Sequence, residues 1–246
     1  MSLAGDVRTV IWKEWQEMAD HVAGSRAGLV GLGGLVLYFG VIAPYINGPH
    51  LVASALAVFQ YPVLAAMLTV QPIVDAFAGE RERHTLETLL ASRLPDRAIL
   101  FGKVASALAA ASLATYVVYG LALVTARFAH GGQETAVPPG WVLLGVGLGV
   151  LLVPATFSAI GVFISLGAPT VRQAAQNFGL AILGLTLLPV VITQLSLQIR
   201  SAAAMRLSRL APVQLVLLGA AALVLLATLF LTAAVRRFRR GRLNLD

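Results

Sequence analysis

Residues 75–103 read DAFAGERERHTLETLLASRLPDRAILFGK. The stretch holds five of the chain's 11 acidic residues (Asp75, Glu80, Glu82, Glu87 and Asp96) and five of its 18 basic ones (Arg81, Arg83, Arg93, Arg97 and Lys103). Apolar sequence flanks it on both sides: residues 27–74 and 104–126 contain no Lys, Arg, Asp or Glu. A charged island between membrane-length runs anchors orientation and offers a surface on which something can dock.

The composition supports that reading. Of the 246 residues 58% are hydrophobic and 12% charged, against about 25% charged in soluble domains, and the mean hydropathy is +0.84. The chain is therefore read as a polytopic membrane protein. It has no cysteine, which excludes a disulfide framework and thiolate metal sites. No cleaved signal peptide is expected, because Asp6, Arg8, Lys13, Glu14, Glu17 and Asp20 occupy the place of an apolar h-region.

Outward from the island, residues 27–74 would make about 72 Å of helix at 1.5 Å per residue, too long for one span and right for two. Asn47-Gly48-Pro49 supplies the break. Spans are expected at about 26–46, 51–78, 99–126, 141–166, 172–195 and 212–235, with a Gly167-Ala168-Pro169-Thr170 turn before the fifth and a kink at Pro154. Residues 196–211 are too short and too charged to span and too apolar for a free loop, so they are expected to dip into the interface. Residues 3–23 place Val7, Ile11, Trp15, Met18 and Val22 on one helical stripe, with Asp6, Lys13, Glu14, Glu17 and Asp20 off it. This is a helix lying on the membrane surface; an amphipathic helix packed on protein is the other reading. The fold class is all-α, with six transmembrane helices in one domain over 1–246.

Six spans put both termini on one side. Fourteen of the 18 Lys and Arg fall on that side, among them the five of the island and Arg236, Arg237, Arg239, Arg240 and Arg242. The positive-inside rule makes it cytoplasmic. The C-terminal arginines are read as an orientation anchor that also meets anionic membrane lipid.

Enzymatic motifs are missing. There is no HExxH and no GxSxG, and the four histidines lie in separate segments. Gly102-Lys103 resembles the end of a P-loop, but the glycine required five positions earlier is Arg97. No catalytic residue, metal site or cofactor on this chain is expected, and no nucleic-acid partner. The spans carry amides instead: Gln60 and Gln71 in the second, and Gln173, Gln176 and Asn177 on one face of the fifth. These hydrogen-bond helix to helix or line a translocation path. Gly28 and Gly31 give the first span a small face on which a second copy can pack.

Within the island, Glu80 to Leu90 can form a short helix with Leu86, Leu89 and Leu90 on one side and an Arg83–Glu87 pair at i,i+4. Pro95 ends it. A solvated positive loop would explain the arginines but not the accompanying acids Glu80, Glu82, Glu87 and Asp96.

FAGERERHTLETLL, followed by RAILFGK, resembles the signature between the second and third spans of ATP-binding-cassette permeases of the ABC-2 exporter family. It differs at His84, where the family usually has Gly, and at Arg93-Leu94-Pro95, where the proline comes later. The resemblance implies a homodimeric membrane half driven by two cytoplasmic ATPase subunits, which would bind the ATP and Mg. It makes the loop 79–97 the coupling element, with Glu80, Arg81, Glu82, Arg83, Thr85, Leu86, Glu87, Leu89 and Leu90 as the residues that meet the ATPase. The expected function is export of a small amphiphile, drug, peptide or lipid across the cell membrane. The competing reading is a non-transport membrane protein that recruits or regulates a cytoplasmic partner through residues 80–90.

Overall fold

A computed structural model describes residues 3–83, 96–130, 137–180 and 210–237, and every regular element among them is a helix. Helix α1 (Leu3–Gly24) covers the amphipathic segment, with Val7 and Ile11 of the expected stripe half-buried on it. Among the described side chains of α1 Val10 is buried, at 6% exposure, and Trp12 stands 65% exposed. Glu14, placed off the apolar stripe by periodicity, lies on the packed face and pairs with Lys103. The partner decides the face: α1 lies on protein that offers both a flat apolar spot and a cation.

The first membrane-length helix runs Gly28–Asn47. It is built of α2 (Arg26–Leu37), a π-helical turn at Tyr38–Ile42 and α3 (Ala43–Asn47). Ser25 caps α2, its Oγ accepting Gly28 N at 3.2 Å. Pro44 has no N–H to give to the carbonyl of Gly40, and Thr125 Oγ1 donates to that carbonyl at 2.9 Å. At Gly48 the chain turns with φ +69°, in the left-handed region that glycine enters without cost. Short helix α4 (Pro49–Ala53) follows.

The expected second span at 51–78 is corrected at its start. Ser54 is extended, with φ −117° and ψ 179°, and its Oγ accepts Leu56 N at 3.3 Å. A new helix, α5 (Ala55–Glu82), begins there. The break frees the Val52 carbonyl from its helical donor, and Tyr119 OH supplies one at 3.1 Å.

Helices α6 (Asp96–Ala129) and α7 (Gly140–Ser165) complete the centre. Pro154 leaves the Val150 carbonyl without an N–H, and Ser112 Oγ on α6 donates to it at 2.9 Å. With that donor supplied from the neighbour, α7 continues unbroken through the proline. Gly145 and Gly149 lie under Val58 and Pro62 of α5, so a Cβ built on them would stand 2.8 Å and 2.5 Å from those side chains. Residues 171–180 open helix α8, and α9 (Pro212–Arg237) closes the described chain, leaning on α7 where Thr156 Oγ1 meets the Leu223 carbonyl at 3.2 Å.

Among the described residues five helices are thus long and apolar enough to cross a membrane: Gly28–Asn47, Ala55–Glu80, Ala98–Ala129, Gly140–Ser165 and Pro212–Arg236. Of the fifth expected span, 172–195, only the opening turns are among the described residues. Segment 196–211 is described only at Leu210 and Ala211.

Buried side chains gather in three layers along the bundle. One, with Val52, Tyr61, Val118, Tyr119 and Val142, lies near the turn at Gly48. Ile73, Ile99, Leu100, Val162, Leu166 and Ala234 form a second at the end that carries the charges. Val74, Ala78, Ala168, Ala174 and Phe178 form the third, seating α8 against α5.

Candidate functional site

The charged end of the bundle is where α5 finishes, α6 begins, α7 turns into α8 and α1 lies alongside. Lys103 is at its centre. Its Nζ is 2.8 Å from Glu14 Oε1 of α1 and 3.4 Å from Glu80 Oε1 of α5, and its side chain is 4% exposed against 17% and 18% for the two acids. A lysine so buried requires paired carboxylates, and here two different helices supply them.

Two neutral contacts flank this triad. Val10 of α1 sits on Gly102, whose absent Cβ would stand 2.5 Å from Val10 Cγ1. Trp15 Nε1 donates to the Ser106 carbonyl at 3.2 Å, while Ser106 Oγ turns back to the Lys103 carbonyl at 2.9 Å. Gly102-Lys103, read in the sequence as a failed P-loop end, is the seat of α1. Neither Glu14 nor Lys103 was singled out as a site residue by sequence. The available signal was a lone lysine at the edge of a long charge-free run, where ionisable groups need a partner.

Glu82 faces the other way. Its Oε2 accepts the backbone N–H of Val171 at 3.0 Å, at the first turn of α8, where Thr170 Oγ1 also accepts Gln173 N at 3.2 Å. Both are acceptors for donors that a helix N-terminus leaves unsatisfied. One turn back along α5, Ser165 Oγ donates to the Val74 carbonyl at 2.9 Å and accepts Ala78 N at 3.0 Å. Val74, Ala78 and Glu82 are spaced by four, so one face of α5 holds the whole turn between α7 and α8.

Asp75 and Arg83 form an ion pair over eight residues of the same helix. Gly79 lies between them, and a Cβ there would run into Asp75 Oδ1 and Arg83 Nη2. The Asp75 carboxylate pushes the Arg83 guanidinium pKa up by hydrogen bond and charge, but the pair is exposed and worth at most about 1 kcal/mol.

These contacts give two of the island acids partners inside the fold. Glu80 and Glu82 are both engaged within the chain, with Lys103 of α6 and the first turn of α8 respectively. Arg81 belongs to the last turn of α5. Thr85, Leu86, Glu87, Leu89 and Leu90 lie outside the described residues, and with Glu87 the expected Arg83–Glu87 pair.

The other sequence candidates are scattered. Gln60 is half-buried on α5, in the layer of Tyr61 and far from the charged end; Gln71 is on the same helix, two turns before Ala78. Gln173, Gln176 and Asn177 stand exposed on α8. Helix-to-helix hydrogen bonding falls to hydroxyls in the described spans: Ser112, Tyr116, Tyr119, Thr125, Thr156 and Ser165 each reach a neighbouring helix's backbone. Gly31 is open, with nothing within 4 Å of a built Cβ, and Gly28 is half-buried beside its cap. Gly145 and Gly149 are covered by α5. Among the described residues no three His, Asp or Glu side chains gather as metal ligands.

A family profile described as ABC-2 family transporter protein matches residues 14–241. The chain belongs to the ABC-2 transporter family. No curated protein and no solved structure matches it. As an ABC-2 protein with five helices among the described residues long and apolar enough to cross a membrane, it is a multi-pass membrane protein of the permease class, the transport component. In this ABC-2 permease the described ends of the island are anchored within the fold: Glu80 and Glu82 on one side, Lys103 on the other.

Proposed function

We propose that this chain is the membrane-spanning subunit of an ATP-binding-cassette exporter, working as a homodimer with two copies of a separate cytoplasmic ATPase that binds ATP and Mg. The cargo class is a small amphiphile, drug, peptide or lipid, moved outward across the cell membrane. Six spans place both termini and the island in the cytoplasm, because 14 of the 18 basic residues then lie inside.

The family match over residues 14–241 carries this reading. The geometry supports a coupling role for residues 79–97, since α5 joins α1, α6 and α8 at the point where the island leaves it. Force applied to the island would reach three elements through Glu80, Glu82 and the α5 backbone. Gln60, Gln71, Gln173, Gln176 and Asn177 are the candidate lining of the path, and Gly28 and Gly31 the candidate dimer contact.

The test is purification of the full chain from its native membrane in mild detergent, followed by reconstitution into liposomes. An ATPase should accompany it at one copy per chain, and MgATP should drive movement of a fluorescent lipid or amphiphilic dye. A chain that carries no ATPase and moves none of these probes with ATP would sink the proposal.

A further inference from the structure

Lys103 closes the charged stretch, and it is the most deeply placed charge described at this end of the bundle, with a side chain 4% exposed. Its two carboxylates come from separate elements: Glu14 from α1 and Glu80 from α5, where the island begins. Along α1 the contacts advance in step with α6, Val10 on Gly102, Glu14 on Lys103 and Trp15 on Ser106. Helix α1 is therefore held in register over a turn and a half, with a charge at the centre. Hydrophobic packing alone tolerates sliding, whereas a buried ion with directional partners has one low-energy position.

We propose that Lys103 is a positioning residue that locks α1 to the root of the island, so that α1 moves with α5 and α6 as one strut. The surface helix thereby reports to, and is driven by, the island, and is more than an anchor in the lipid interface. The coupling part of this inference rests on the exporter reading above; the locking part does not.

The absence of cysteine makes a distance measurement clean. Gln16 on α1 and Arg172 on α8 are both exposed and stand outside the contacts described, so a chain with Gln16→Cys and Arg172→Cys, diluted into excess unlabelled native chain so that a dimer carries one labelled copy, takes two spin labels in lipid nanodiscs. Double electron–electron resonance should give one narrow distance distribution for the otherwise native chain. Lys103→Met should broaden it at least twofold, and the charge swap Glu14→Lys with Lys103→Glu should recover at least half of the narrowing. A merely volumetric role for the lysine would keep the methionine variant narrow and give the swap no benefit. If Lys103→Met fails to reach the membrane, Glu14→Gln replaces it, leaving Lys103 its Glu80 partner. That variant should reach the membrane at the native level and still broaden the distribution.

An unchanged narrow distribution in the variant that folds overturns the proposal. The exporter reading is judged separately, by whether an ATPase accompanies the native chain. Where it does, adding MgATP should shift the Gln16–Arg172 distance in the native complex and lose that shift in Glu14→Gln. A shift that survives in Glu14→Gln would refute the strut even with the ATPase bound. No ATPase with a lysine-dependent distance would refute the exporter and leave the lock standing.

Discussion

Glu82 Oε2 and the backbone N–H of Val171 meet at 3.0 Å across 89 residues of sequence. The contact makes an island acid the cap of another helix. Removing an N-terminal cap costs about 1 kcal/mol, and a carboxylate adds about 0.3–1 kcal/mol through the helix dipole. Glu82→Ala should therefore raise amide exchange at residues 171–174 several-fold and lower thermal stability by about 1–2 kcal/mol. Glu82→Gln keeps an acceptor and should lose roughly half as much. Exchange at 171–174 indistinguishable from the native chain would show that the cap does not persist in the membrane.

Lys103 should be the costliest single charge to delete. Breaking a buried pair by removing one partner costs about 3–5 kcal/mol, because it leaves uncompensated charge behind. Lys103→Met abandons two carboxylates and should sit at the upper end of that range. Arg83→Met, which loses only an exposed pair, should cost under about 1 kcal/mol. Unfolding in graded denaturing detergent ranks the two variants; equal stability would mean that water reaches Lys103.

Ser112 should matter out of proportion to its size. Its hydroxyl is the donor to the Val150 carbonyl, which Pro154 cannot serve. Ser112→Ala leaves that carbonyl unsatisfied at about 1–3 kcal/mol. The double variant Ser112→Ala with Pro154→Ala restores a backbone N–H and should recover much of the loss. A double variant no better than Ser112→Ala alone would disconnect the two residues.

The glycines should separate into two classes. Gly149→Val drives a side chain into Pro62 and Gly145→Val into Val58, so each should destabilise the chain by about 1–3 kcal/mol through overpacking. Gly31→Leu meets open space and should leave monomer stability unchanged. It should also reduce the dimer recovered in mild detergent if Gly28 and Gly31 form the contact between copies. Size-exclusion with light scattering reads both outcomes; an undiminished dimer moves the interface off this face.

Topology is tested with single cysteines at exposed positions. Asn47→Cys and Val137→Cys should react with an impermeant thiol reagent in intact cells. Gln16→Cys and Arg172→Cys should react only after permeabilisation. Labelling of Arg172→Cys from outside would overturn the proposed orientation.

Much of the architecture was legible because its causes are local. Charge-free runs of membrane length, the Asn47-Gly48-Pro49 break and the Gly167-Ala168-Pro169-Thr170 turn all act within a few residues, and transfer into lipid sums along the chain. The family signature in 75–103 was legible for the same reason: it is a contiguous string. Periodicity put Glu14 off the packed face because apolar spacing carries no information about a lysine 89 residues away. Which carbonyls Pro44 and Pro154 leave open to Thr125 and Ser112 depends on which helices are neighbours.

By itself the sequence determined that this chain is helical, membrane-length in its apolar runs, charged at the loop 79–97 and a member of its family. Only the tertiary structure decided that Glu80 turns to Lys103 of α6 while Glu82 turns to α8, and that Gly145 and Gly149 are covered by α5. The physical reason is that burial along a helix is set by each segment's own hydrophobicity, whereas a buried charge or a bare carbonyl takes the partner that packing brings within about 3 Å.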